Sequence, residues 1–161
     1  MPNFNIRTAG APGCDILYEV AAEVTEDEFG EELNEHMTLM LETMYSQEGV
    51  GLAAPQVGDG RRLMVIDTGA TNHDYGAGAL KLVNPVIVEA SEDMVDSIEG
   101  CLSVPTLQIT VKRSASVKVN YQTPQGDTVV EEFVGVTAVI VQHELDHLNG
   151  ITLLKHASRL K

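Results

Sequence analysis

Two histidines four residues apart, in His143-Glu144-Leu145-Asp146-His147, constrain this chain more than any other feature. On a helix such residues stand above one another on one face, so both imidazoles can reach a single divalent metal. Glu144 lies between them, close enough to take a proton from a metal-bound water without being a ligand. The preceding run Ala138, Val139, Ile140 and Val141 is apolar, so this helix reads as buried. It begins near Val136 and stops at Asn149-Gly150, a typical C-terminal signal. Two solvated histidines on a surface helix would show the same spacing, so a third ligand and a substrate site are still required.

Composition narrows the setting. A chain of 161 residues with 43% hydrophobic content reads as a single domain, residues 1–161, with room for a real core. No apolar run approaches the roughly 20 residues that span a bilayer, so no membrane role is expected. The N-terminus lacks the pattern of a signal or transit peptide. Two cysteines cannot build a disulfide framework; they fit a reducing compartment or metal ligation. The net charge of −14 excludes direct nucleic-acid binding, which needs a basic stripe; Arg61-Arg62 and Lys112-Arg113 are too small for one.

Along the chain, Thr25 followed by Glu28 reads as a capping box opening a first helix that runs to about Tyr45. Phe29, Leu33, Met37, Met40, Leu41 and Met44 make its apolar face, and Glu28, Glu31, Glu32, Glu35 and Glu42 its solvated one. A glycine-rich stretch, Gly49 to Gly60, separates it from β-like runs at Arg62–Asp67, Leu80–Glu89, Gln108–Val111, Ser116–Tyr121 and Thr128–Val134. The last two are joined as a hairpin by Pro124-Gln125-Gly126-Asp127. Asp67–Ala79 reads as an exposed connection, with His73 solvated; His36 and His156 have no partner spacing. The order predicts an α+β domain: mostly antiparallel strands around a central HExxH helix, with the N-terminal helix packed outside.

Cys101, in Glu99-Gly100-Cys101-Leu102-Ser103, is the best candidate for a third ligand, although a lone cysteine is more often a small buried hydrophobe. Cys14 reads as that, or as an exposed thiol. The stretch Gly49-Val50-Gly51-Leu52-Ala53-Ala54-Pro55-Gln56-Val57-Gly58 lacks the ending of a phosphate loop. Its small residues would let a ligand approach the main chain, and the Gln56 amide could donate to a developing oxyanion. In isolation a plain loop explains it better.

Taken together, GVGLAAPQ, EGCLS and QHELDH, in this order, resemble the three signature motifs of the peptide deformylase family, GxGLAAxQ, EGCLS and QHExDH. The resemblance covers most of the chain, from the first helix to about Leu154. It implies that Cys101, His143 and His147 ligate one metal, that Glu144 is the general acid/base, and that Gln56 and the Leu102 backbone N–H hold the oxyanion. It places Gly51 close to the metal, the main chain around Val50 and Gly100 along an extended substrate, and Val136, Val139 and Ile140 with Val50 around its methionine side chain. Glu99 and Arg113 correspond to a structural ion pair. The implied metal is Fe²⁺, with Zn²⁺, Ni²⁺ or Co²⁺ as substitutes. The implied reaction is hydrolysis of the N-formyl group from formylmethionine at the start of nascent polypeptides, by a monomer in the cytoplasm of a bacterium or of a phage's host.

Three departures stand out. The segment Ala9–Tyr18 lacks the family's His-Pro-Asp-Pro-like opening, and Gln108 replaces an arginine that many members carry near the substrate channel. The chain stops at Lys161, resembling short forms without the long C-terminal helix used for ribosome docking, so the resemblance implies transient ribosome proximity and leaves docking open. Two rivals remain at this level. A metallopeptidase shares the histidine motif but would not explain Cys101 or Gln56, and a non-catalytic metal- or peptide-binding relative would have lost Glu144, Gln56 or Cys101.

Overall fold

Strand β2, Leu63–Asp67, is apolar at consecutive positions because both of its faces are covered. In a computed structural model, which describes residues 4–69 and 78–158, its side chains alternate between two cores. Leu63 and Val65 pack with Leu33, Met37, Met40 and Met44 of helix α1, Glu31–Ser46. Met64 and Ile66 pack on the other face with Ala138, Val141, Leu145 and Leu148 of helix α2, Gly135–Leu148. The histidine helix therefore lies against one face of a sheet, and the first helix against the other.

The remaining strands are β1 (Gly51–Ala53), β3 (Ala79–Ala90), β4 (Met94–Cys101), β5 (Val104–Ser114), β6 (Ser116–Gln122) and β7 (Thr128–Val134). A five-stranded antiparallel sheet runs in the order β1-β2-β3-β6-β7, and β4 and β5 form a separate antiparallel ribbon. A short helix α3, Leu153–Ser158, follows α2. The fold is α+β with antiparallel pairing, as expected, and the expected hairpin joins β6 to β7.

Several boundaries differ from the sequence reading. Thr25 and Glu28 do not open α1. The Thr25 hydroxyl bonds the Asp27 and Glu28 carboxylates at 2.6 and 3.1 Å within a single 3-10 turn, Glu26–Glu28. The chain then passes through Gly30, at φ 137°, before α1 begins. β4 escaped notice because it is mostly exposed and shows little alternation, β5 starts four residues before the predicted Gln108, and β1 and α3 are too short for periodicity. His73 lies outside the described residues.

Both long helices end in the same reversal. Beyond α2, Gly150 N–H donates to His147 O (3.1 Å) and Ile151 N–H to Asp146 O (2.8 Å), with Gly150 left-handed at φ 73°. Beyond α1, Glu48 N–H donates to Tyr45 O (3.0 Å) and Gly49 N–H to Met44 O (2.9 Å). Here the left-handed position is taken by Glu48, at φ 57°, which costs a residue with a side chain about 1–2 kcal/mol.

Candidate metal centre and cleft

Three elements bring the chemistry together. Helix α2 presents His143, Glu144 and His147, the last two buried. Cys101 ends β4 at the tip of the β4–β5 ribbon, where Leu102 and Ser103 turn the chain and Cys101 pairs with Val104. β1 and the 3-10 turn after it, Ala54–Val57, contribute Gly51 and Gln56.

The Cys101 sulfur lies 3.2 Å from His147 Nε2, and donor atoms of Cys101, His143 and His147 all fall within 4.8 Å of one another. Ligands of one tetrahedral ion stand about 3.5 Å apart, so this thiol-imidazole-imidazole set fits a single divalent metal. Two buried atoms here, Glu144 Oε1 and His147 Nδ1, have no hydrogen-bond partner among the described residues. An orphaned carboxylate oxygen in a buried site is costly unless something it binds completes the site.

Burial pushes the Glu144 carboxyl up to about 7, suited to taking and giving a proton near neutrality. Burial, with the positive charges of His143 and Arg113, pushes His147 down to about 3, so its imidazole is neutral, the form that binds metal. His143 Nδ1–H donates to Glu99 Oε1 at 2.8 Å, which fixes its ring and directs Nε2 elsewhere. Glu99 is in turn clamped by Arg113, whose Nε and Nη2 donate to its two oxygens at 2.9 and 2.7 Å. Burial alone would raise the Glu99 carboxyl, but the Arg113 and His143 hydrogen bonds outweigh it and hold the group at about 2.

The Glu99–Arg113 pair was legible in the sequence; its extension was not. Arg113 Nη1 also donates to Asp146 Oδ2 at 2.7 Å, and His156 Nε2 lies 2.9 Å from the same oxygen. His156, unassigned from sequence, thus ties α3 to this network. Asp146 is the fixed aspartate of QHExDH, but the motif does not say what it pairs with, so only the fold could reveal its partner.

Gln56 is buried and doubly held. Its Oε1 accepts from Ala53 N–H at 2.9 Å, and its Nε2 donates to Ser103 Oγ at 3.2 Å and, more weakly, to the Cys101 sulfur at 3.6 Å. Ser103, fully buried, is a site residue that sequence reasoning passed over; its place in EGCLS was the available signal. Gly51 is required sterically: a Cβ there would sit 2.6 Å from Glu144 Oε2 and 2.9 Å from Ile140 Cγ2. Gly100 is different, since a Cβ would meet only Leu107 O at 3.8 Å.

These groups line a cleft of about 580 Å³ between β1 and the β4–β5 ribbon. Val50, Gly51, Gly100, Leu102, Val136, Val139 and Ile140 all face it, together with Cys101, His143, Glu144 and Gln56. His147 lies deeper and does not. Ile98, Pro105 and Glu48 join the wall without having been predicted. Cys14 remains a free, half-buried thiol.

The sequence model of the family described as polypeptide deformylase matches residues 4–161. A peptide deformylase of Thermotoga neapolitana is 42% identical over 160 residues, covering 98% of this chain and 90% of that protein. Among solved structures, the class I type b peptide deformylase of Acinetobacter baumannii with Met-Ala-Ser bound superposes with a TM-score of 0.85 at 38% identity, covering 96% of this chain and 98% of that one. A probable peptide deformylase from Synechococcus phage S-SSM7 gives a TM-score of 0.82 at 37% identity, covering 95% and 99%.

Proposed function

The chain belongs to the polypeptide deformylase family and removes the N-formyl group from nascent polypeptides, and we propose that it does so with the residues gathered in this cleft. The observation that carries this assignment of roles is the convergence of Cys101, His143 and His147 beside a buried Glu144 and an oriented Gln56.

Cys101, His143 and His147 would hold the metal. A divalent ion there would supply a Lewis acid that brings the pKa of a water towards neutrality. We assign Fe²⁺ as the working ion, as the family resemblance implies; the mixed thiolate and imidazole donors admit Zn²⁺, Ni²⁺ and Co²⁺ as well. The formyl peptide lies extended along the cleft, its main chain beside Val50 and Gly100. Its methionine side chain enters the apolar wall of Val50, Val136, Val139 and Ile140.

As water attacks the formyl carbon, the carbonyl oxygen becomes negative. The Gln56 amide and the Leu102 backbone N–H donate to it. Of the two Gln56 N–H groups, the one on the Cys101 sulfur at 3.6 Å is the weaker held, and is the one that donates to the oxyanion. Ser103 keeps the other, which holds the amide plane in place. Glu144 accepts the proton from the attacking water and passes it to the amine nitrogen, so that formate and a free N-terminus leave.

The chain works as one catalytic domain and as a monomer, in the cytoplasm where nascent polypeptides emerge, in transient proximity to the ribosome. No described helix is long and apolar enough to cross a membrane. The test is release of formate from formyl-Met-Ala-Ser by protein loaded anaerobically with iron, beside a zinc-loaded sample. Turnover is expected in both and faster with iron; no turnover in either would overturn the assignment, and equal rates would remove the preference for iron.

A further inference from the structure

Gln56 and Leu102 stand on elements that belong to different sheets. Gln56 lies on the 3-10 turn that follows β1 of the five-stranded sheet, and Leu102 at the tip of the β4–β5 ribbon. The side-chain link between these elements is slender: Gln56 Nε2 donates to Ser103 Oγ at 3.2 Å, the long end for such a bond. The N-terminal segment joins their main chains directly. Arg7 N–H donates to Gln56 O at 2.6 Å, and Ala9 N–H donates to Ser103 O at 2.8 Å.

This strap is anchored before and after the two bonds. Phe4 N–H donates to Thr43 Oγ1 of α1 at 3.0 Å, and Phe4 and Ile6 pack against the core that α1 shares with β2. Beyond Ala9, Ala11 N–H returns to Thr8 O at 3.1 Å. The Arg7 guanidinium takes up the space beside Gly58, the left-handed residue that ends the Gln56 turn: a Cβ there would lie 2.6 Å from Nη2. Gly13, also left-handed, is as close, with 2.5 Å between an added Cβ and Nη1. Arg7 thus grips the Gln56 turn twice, by main chain at Gln56 and by side chain at Gly58.

From this geometry we propose that Arg7 and Ala9 are positioning residues for the reaction: together they set the spacing between the Gln56 amide and the Leu102 N–H. The inference rests on the reading of those two groups as oxyanion donors. Two donors serve one oxygen only if each reaches it at about 2.7–3.1 Å, so their mutual spacing matters as much as either position. Strand pairing does not fix that spacing, because β1 and the β4–β5 ribbon lie in separate sheets. The strap does, through Gln56 on one side and through Ser103, the residue after Leu102, on the other. It acts where charge develops in the transition state and not on the bound peptide, so it governs kcat and leaves KM.

Cys14 makes a single-atom test possible, since a synthetic segment ending in Gly13 can be ligated to the chain from Cys14 onward. Lactic acid in place of Ala9 then exchanges one N–H for an ester oxygen and keeps the methyl group. With formyl-Met-Ala-Ser on metal-loaded enzyme, we expect this ester to lower kcat by about tenfold, less than the roughly 10²–10³-fold lost with a whole oxyanion donor. KM, bound metal and inhibition by the product Met-Ala-Ser, which has no formyl oxygen, should match the ligated natural sequence. Arg7→Met, made in the recombinant chain, should lower kcat by about threefold, and by nothing further once Gln56→Ala has removed the group it positions. This second comparison decides alone if the ester chain does not refold. An ester as fast as the natural sequence, or independent effects of Arg7→Met and Gln56→Ala, would overturn the proposal and leave the deformylase reading standing. So would loss of metal or of Met-Ala-Ser affinity along with kcat, which marks a strap that merely supports the fold. No turnover by the natural chain, ligated and recombinant alike, would overturn both.

Discussion

Gly51 and Glu144 form the tightest constraint in the molecule at the level of single residues. With 2.6 Å between an added Cβ and Glu144 Oε2, Gly51→Ala forces the carboxylate or Ile140 to move. Glu144 is the group whose position sets the proton transfer, and displacements near 1 Å can cost about 10²-fold in rate. Gly51→Ala is therefore expected to lower kcat/KM by about that factor while its unfolding temperature stays near that of the parent, which steady-state kinetics beside thermal unfolding would check. Glu144→Gln keeps the shape but removes the base. Formate release should fall by at least about 10²-fold with bound metal, measured by elemental analysis, unchanged. If metal is lost in that variant, Glu144 belongs to the ligand set and its assigned role is wrong.

Between elements, the decisive contact is Arg113. It reaches from β5 to Glu99 on β4 and to Asp146 on α2, joining the ribbon that carries Cys101 to the helix that carries both histidines. Arg113→Ala would leave Glu99 buried without its counter-charge, a loss of about 3–5 kcal/mol. Denaturant unfolding at pH 7 measures this directly; a change below about 1 kcal/mol would show that the ribbon is held by its apolar contacts instead. The helix reversals give a second expectation. A Cβ at Gly150 would lie 2.7 Å from Tyr18 O, and φ is 73°, so Gly150→Ala combines a backbone clash with left-handed strain. It should lower stability by about 2 kcal/mol or more, read from the same experiment. The corresponding place after α1 holds Glu48 instead of glycine, a local preference overridden at the mouth of the cleft.

For the whole molecule, the acid limb of stability is the accessible global observable. Asp59, on the turn between β1 and β2, meets His36 of α1 at 2.9 Å and Arg61 at 2.9 Å. Burial raises its carboxyl, but the His36 and Arg61 contacts outweigh this and hold it well below the ordinary aspartate range. A depressed folded-state pKa means stabilisation that is complete above the unfolded value of about 3.9 and is lost as pH falls through and below it. Asp59→Asn should therefore lower the unfolding temperature at pH 6, and the gap to the parent should close as pH drops below about 4. A gap independent of pH would remove the ionised carboxylate as its cause.

How much of this was legible in advance follows from the range of each interaction. The register of His143, Glu144 and His147 is local to one helix turn, so their spacing alone determined that two imidazoles and a carboxylate share a face. GVGLAAPQ and EGCLS, by their resemblance, named the partners of that helix. What the chain could not display by itself was the convergence. Cys101 meets His147 across 46 residues, and that contact exists because β4–β5 folds as a separate ribbon over α2. Ser103 beneath Gln56, Asp146 on Arg113 and His156 on Asp146 are of the same kind. Each depends on groups far apart in sequence, whose partners are chosen by packing rather than by spacing. The sequence by itself determined which chemistry the chain carries; the tertiary structure decided how that chemistry is held, because burial and pairing belong to the folded molecule and not to any local run of residues.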